Sequence, residues 1–282
     1  MKKLAFLIFA LLLFGTPSSK AEEIEIHAMS FNIRLGVAKD GPNHWDLRKE
    51  LVFDILRHHQ PDVVGLQEAW KFQIDALKIA FPEFGLIGRS RQANPEEGEW
   101  CPIFYRKDKF EVVDEGTFWL SDAPDKEGTM SWGNRIPRIC TWGRFKDKTT
   151  GRTFFLYNTH FDHQSQASRE KSAVLCRDRI ASRKPRDEAA ILMGDLNAGE
   201  NNPTNKTLRK SFRDTFGALH PDVKLRGTFG GWNGKSDGNR IDYIYVSPKG
   251  WRIVEASILR DHSSDNRYPS DHYPVNTRLI LK

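Results

Sequence analysis

Two short runs in this 282-residue chain carry the groups with which a protein moves protons beside a cation. Near the C-terminus stands Ser270-Asp271-His272-Tyr273-Pro274-Val275, and upstream stands Met193-Gly194-Asp195-Leu196-Asn197. Each sets small oxygen- or nitrogen-bearing side chains just past an apolar run or just before one. That is where a sheet offers residues at its rim, and where α/β folds bind ligands. Carboxylate, carboxamide and imidazole together hold a hard cation and transfer a proton next to it. The chemistry that these residue types predict is metal-assisted hydrolysis.

The elements that must position them form one continuous α/β pattern. Strands are predicted over Ile24–Ile33, Asp62–Leu66, Phe84–Gly88, Pro102–Tyr105, Phe110–Trp119, Arg138–Phe145, Thr153–Asn158, Ala189–Met193, Ile241–Val246, Trp251–Ile258 and Val275–Ile280. Helical spacing of apolar residues predicts helices over Asp46–His59, stopped by Pro61, and over Trp70–Ala80 and Ser168–Ile180. Helices separated by many strands imply two packed sheets with helices outside. The loops 36–45, 89–100, 120–137 and 198–240 are long, and long loops on a rigid scaffold carry specificity. Neither a repeat nor a linker interrupts the pattern, so residues 22–282 read as one catalytic domain.

Polar residues recur at the ends of these segments. Asn32 and Glu68 close or follow the first two strands, His160 follows the Thr153 strand, and Asp195 and Asn197 follow the Ala189 strand. Asp242 opens the Ile241 strand and Asp271-His272 precede the last. Any one of them alone could be a turn or helix-start residue. Jointly, Asp, Asn, Glu and His with no Cys among them point to oxygen ligation of Mg²⁺, Mn²⁺ or Ca²⁺ rather than structural zinc.

The N-terminus reads as a signal peptide, residues 1–21. Lys2 and Lys3 precede the apolar run 4–14, Pro17 closes it, and Ser19-Lys20-Ala21 offers a cleavage site. The run is too short to span a bilayer and no later one is longer, so the expected product is exported, periplasmic or secreted, without an integral membrane segment. That segment carries Lys2, Lys3 and Lys20 and no acid, which leaves +3 of the chain's formal +6. So mild a balance does not by itself predict nucleic-acid binding. Cys101, Cys140 and Cys176 match no zinc spacing and read as buried small hydrophobes, with their pairing left open.

The ordered series Phe31-Asn32-Ile33-Arg34, Leu66-Gln67-Glu68, Asn158-Thr159-His160, Gly194-Asp195-Leu196-Asn197, Ile241-Asp242-Tyr243 and Ser270-Asp271-His272 resembles the endonuclease/exonuclease/phosphatase superfamily, in an exported bacterial-type branch. The resemblance covers essentially the whole chain after residue 21. It implies a four-layered α/β sandwich, two packed mixed β-sheets flanked by helices. It also implies roles. Glu68, Asn32 and Asp271 match metal-side residues. Asp195 and Asn197 match the pair that orients the attacking water and a phosphate oxygen. His272 matches the histidine at the scissile phosphate, and Asp242 the acid that orients it. His160 resembles the second active-site histidine, with Glu99 placed as its supporting acid. Arg138 resembles an arginine that grips phosphate, and Arg169 is a second candidate.

Other residues have plainer readings. Arg34 stands where abasic-site endonucleases carry an acid, which disfavours that subgroup. His163 reads as a rim residue and His262 as loop. Trp232, a bulky ring in the glycine loop Gly230–Gly234, is a candidate for packing against substrate. Substrates implied are phosphate esters: nucleic acid, or a phosphorylated lipid, inositol or glycan, cleaved by a monomer. A non-catalytic binding module on the same scaffold is the reading from another class, and the complete polar set argues against it.

Overall fold

The computed structural model describes residues 23–282; the expected signal segment lies outside them. In chain order the elements are β1 (Ile24–Asn32), α1 (Trp45–His59), β2 (Val63–Gln67), β3 (Ala69–Trp70) and α2 (Lys71–Ala80). Then come β4 (Phe84–Ile87), β5 (Glu99–Trp100), β6 (Ile103–Arg106), β7 (Phe110–Trp119), β8 (Ile139–Asp147), β9 (Thr153–His160) and α3 (Gln166–Ala181). The chain continues with β10 (Ala190–Asp195), α4 (Pro203–Arg209), β11 (Arg213–Asp214), α5 (Thr215–Leu219), β12 (Asp242–Val246), β13 (Trp251–Ile258) and β14 (Val275–Leu281). Two six-stranded mixed sheets result, ordered β13-β14-β1-β2-β6-β4 and β11-β12-β10-β9-β8-β7.

Strand parity explains the layers. Successive side chains of a strand point to opposite faces, so a strand buried on both sides is apolar throughout and divides its residues between two cores. Ile26 and Ala28 of β1 meet Phe154 and Leu156 of β9, Ile191 and Met193 of β10, and Ile244 of β12 in the core between the sheets. The alternate residues turn outward. Met29 and Phe31 pack under Val52, Phe53 and Leu56 of α1 and Ile74 and Leu77 of α2. Phe155, Tyr157, Leu192, Tyr243 and Tyr245 pack under Ala173, Cys176 and Ile180 of α3 and Leu208 of α4. This is the four-layered α/β sandwich that the sequence resemblance implied. The three cysteines are buried and unpaired. Among the described residues no helix is long and apolar enough to cross a membrane.

The same parity carries the inter-sheet seam into polar residues at one end. Asn158, two before His160, donates through Nδ2 to the carbonyls of Leu66 and Pro102, both at 2.8 Å, and accepts from Gln67 Nε2 at 2.7 Å. This buried clamp ties the sheets together beneath the site. Asn158→Leu removes all three bonds; the Pro102 carbonyl keeps the Leu66 amide and Gln67 Nε2 keeps Ser30 and the Gly65 carbonyl, while the Leu66 carbonyl loses its side-chain donor. The substitution is expected to lower stability by about 3 kcal/mol, read as a fall in the urea midpoint at unchanged slope. A change within 0.5 kcal/mol would reject the clamp.

Gly194 answers a similar demand. Its φ is +144°, and a Cβ there would stand 1.8 Å from the Thr159 carbonyl oxygen of the neighbouring strand. No other residue lets β10 approach β9 so closely beside His160 and Asp195.

The loop expected over 198–240 is partly ordered into α4, β11 and α5. The signal for α4 was present: Asn202 caps the Thr204 amide at 3.0 Å and Pro203 occupies the first turn. The helix is only seven residues long, too short to show an apolar period.

Candidate active site

Backbone pairing lines up the central groups. Asp195, last residue of β10, pairs across the ladder with His160 of β9 on one side and Asp242 of β12 on the other. The three stand in one row at the strand ends. Asn32 closes β1 in the facing sheet and reaches over to them, its Nδ2 donating to Asp195 Oδ2 at 3.1 Å and to Glu68 Oε1 at 3.0 Å. The Asn32 oxygen accepts from the Arg34 amide at 3.0 Å. Asn32 therefore bridges two carboxylates across the seam.

Strain concentrates at this end. Arg34, Glu68 and Asn197 all adopt left-handed backbone, with φ of 56°, 59° and 48°. Such conformations cost about 1 kcal/mol or more each in non-glycine residues and persist where surroundings dictate them. At Glu68 the turn brings Oε2 to the Leu35 amide at 2.9 Å. At Asn197 it lets the amide donate to Asp195 Oδ1 at 2.8 Å while Nδ2 reaches the Phe161 carbonyl and His160 Nε2, both at 3.1 Å.

Two histidines flank Asp195, and their surroundings shift them in opposite directions. His272 Nδ1 meets Asp242 Oδ2 at 2.9 Å, and its Nε2 lies 3.8 Å from Asp195 Oδ2. Burial works against its charge, but Asp242 and Asp195 outweigh it and hold the imidazole well above its ordinary value. His160 Nε2 lies 3.4 Å from Asp195 Oδ2, yet burial and then the guanidinium groups of Arg138 and Arg91 push it well below its ordinary value. It is neutral. Asp195, 1% exposed, is raised to about 7 by burial and then by Asp242.

A cavity of about 460 Å³ collects Glu68, Arg138, His160, Asp195, Asn197 and His272, with Asp271 and Arg34 on its wall. Arg138 is 2% exposed; it donates to His163 Nδ1 at 2.8 Å and lies 3.5 Å from Asp162, while its third nitrogen, Nη1, has no partner among the described residues. A buried guanidinium with one open donor is a ready grip for an anionic oxygen.

Four expectations change in the structure. Glu99 lines the cavity, but both its oxygens are held by Arg91, at 2.8 and 2.6 Å, and not by His160. A guanidinium one short hairpin away offers the carboxylate a two-pronged partner that an imidazole cannot match. Arg169 is absent from the cavity wall because its guanidinium donates to the Asp162 carbonyl and to Gln166 within its own helix start. Trp232 turns away and stacks on Arg48, 5.2 Å from its ring centroid. Arg48 in turn donates to the carbonyls of Ile33, Arg34 and Pro269, so the tryptophan braces the loops and does not face the cavity. The aromatic at the mouth is Phe229, 49% exposed and edge-on to His272 at 5.1 Å. Its place follows from the run 228–231 bonding alongside 271–273, a pairing no local pattern announces. His163, expected on the rim, lines the cavity as the partner of Arg138.

Fold and site together define a class, the α/β-sandwich phosphoesterases that include nucleases and phosphatases. Residues 29–272 match the Endonuclease/Exonuclease/phosphatase family, and the chain belongs to it. It is similar to the crystal structure of a family protein from Bacteroides thetaiotaomicron, with a TM-score of 0.84 and 31% identity, covering 93% of this chain and 99% of that one. It is also similar to the mannosyl-6-phosphatase Bt3783 of the same species, with a TM-score of 0.83 and 31% identity over 91% of this chain and all of the other. Nocturnin of Drosophila melanogaster is 23% identical over 312 residues; the match takes in 92% of this chain and about half, 47%, of that protein.

Proposed function

We propose that the chain is an exported, divalent-metal-dependent phosphate-ester hydrolase, acting as a monomer through the single domain 22–282, with a phosphorylated glycan as substrate. The observation that carries the reaction class is the open Nη1 of buried Arg138 beside the cavity shared by Asp195, His272 and Glu68. The glycan is supported by the likeness to the mannosyl-6-phosphatase. It also suits a cavity of this size better than a duplex does, which needs a long basic track.

Carboxylates dominate the cavity. Asp271 is raised by burial and further by Glu68, so the two repel each other across one space. This donor set fits a hard cation, Mg²⁺ first and Mn²⁺ or Ca²⁺ as alternatives, held by Glu68 and Asp271. When bound, the ion supplies neutralisation of charge on a phosphate oxygen. Asp195, Asp242 and His272 also converge, with donor atoms within 4.8 Å. Their closeness is that of the hydrogen-bonded pair of His272 Nδ1 and Asp242 Oδ2 at 2.9 Å, set beside Asp195.

The chain's own groups do the rest. Asp195 accepts a proton from the attacking water, Asn197 orients the Asp195 carboxylate and the neutral His160, and Arg138 with protonated His272 stabilises charge on the phosphate.

The test is hydrolysis of 4-nitrophenyl phosphate, its bis-ester and a sugar 6-phosphate by protein starting at Glu22, with supercoiled plasmid alongside. Sugar-phosphate turnover that ceases on chelation and returns with Mg²⁺ is expected. Chelator-resistant turnover would remove the metal, and nicking of plasmid by wild type but not by an Asp195→Asn protein would make the enzyme a nuclease.

A further inference from the structure

A second depression, about 650 Å³, is lined by residues next in sequence to those of the catalytic cavity. The catalytic wall includes Asn197 and Ile241, and the second depression begins at Gly199 and Arg240. No more than about 7 Å of extended chain separates residue 197 from residue 199.

The floor is rigid and its charges are spent. Arg240 is buried, ion-paired to Asp214 and Glu200, and stacked 4.3 Å over the Tyr243 ring. Glu200 also accepts from Arg226 at 3.1 and 3.2 Å, and Arg226 is further tied to the Pro221 carbonyl at 2.8 Å. With Lys224 and Asp222 on the wall, three cationic groups stand against three carboxylates. Such a surface offers no net attraction to a second phosphate or a polyanion.

What is left to meet a ligand is hydrogen-bonding capacity. Asn201, Asp222, Lys224 and Asn239 are exposed on this wall, and their side chains make no hydrogen bond within the described residues. No aromatic ring lines the depression among the described residues, so a nucleobase would find nothing to stack on. Carboxamides, a carboxylate and an ammonium on a charge-balanced floor are complementary to a neutral ligand rich in hydroxyls, each of which both donates and accepts.

We propose that this depression is a saccharide subsite, holding the part of a phosphorylated glycan that lies beyond the phosphorylated unit. The proposal deepens the hydrolase reading and rests on it. It makes chain length the discriminating property of the substrate: subsite contacts that carry through to the transition state raise kcat/KM for the longer ester.

The experiment compares kcat/KM for a mannose 6-phosphate monosaccharide and a trisaccharide bearing the same terminal phosphate, with 4-nitrophenyl phosphate as a third substrate. Wild type is expected to favour the trisaccharide by about tenfold or more, as two or three net hydrogen bonds provide. In an Asp222→Ala/Asn239→Ala protein that ratio is expected to fall toward one. Both residues are exposed, so the fold tolerates their loss. Equal kcat/KM for the two sugar phosphates in wild type, or a ratio untouched by the double substitution, would overturn the subsite. Turnover of the aryl phosphate alone would overturn the saccharide while leaving the hydrolase reading standing. Silence on all three would remove both.

Discussion

Asp195→Asn lowers kcat by about 10³-fold, the contribution of a positioned base that takes a proton in the transition state. The substitution keeps the shape and one of the two bonds donated by Asn32 and the Asn197 amide, because the amide retains a single oxygen, while removing the proton acceptor. It also removes a carboxylate that burial and Asp242 have made costly to ionise. The folded protein is therefore expected to be no less stable than wild type, the usual relation where a site is built for function. Single-turnover kinetics with a thermal melt on the same sample checks both points. Turnover within tenfold of wild type would end the assignment of Asp195 as base.

The pH dependence follows with a definite sign. Asp195 is raised to about 7, and only its ionised form accepts a proton, so kcat rises about tenfold per pH unit below 7 and then levels. His272 acts protonated, and its value is held up by Asp242 and Asp195, so the fall comes on the alkaline side as that proton is lost. In the Asp195→Asn protein the acid limb disappears.

Asp242→Asn gives the second large effect, a loss of about 10²- to 10⁴-fold in kcat. The carboxylate meets His272 Nδ1 at 2.9 Å and is the main support of the imidazolium charge. The amide in its place retains a contact but not the charge, and His272 then loses its proton at lower pH. The alkaline limb is expected to move toward acid by at least one unit, which a merely structural role would not produce. Because the pair acts as one unit, Asp242→Asn/His272→Ala is expected to cost little more than His272→Ala alone. Additive losses in that cycle would separate the two residues.

Much of this arrangement is written in the sequence, and for a physical reason. Periodicity is local, so the boundaries Phe110–Trp119 and Trp251–Ile258 are the same in sequence and structure, and most others shift by one or two residues. Parity extends the reading: Asn158 and His160 fall on the same face of β9 as Phe154 and Leu156, as the inter-sheet bonds of Asn158 and the core around Phe154 show. The ordered motifs likewise name Asp195, Asn197, Asp242 and His272 before any fold is known.

What the sequence leaves open is partner choice across long separations. Asn32 meets Asp195 over 163 positions, and strand periodicity contains no term for it. Glu99 pairs with Arg91 and not His160, Arg169 turns into its own helix start, and Phe229 instead of Trp232 covers His272. In each case several chemically competent partners exist in the chain, and the one chosen is decided by which loop the packed sheets bring within 3 Å. Residue types and local spacing determine the elements and the inventory of reactive groups; ladder register and loop packing, fixed only when both sheets close on one core, determine which groups meet.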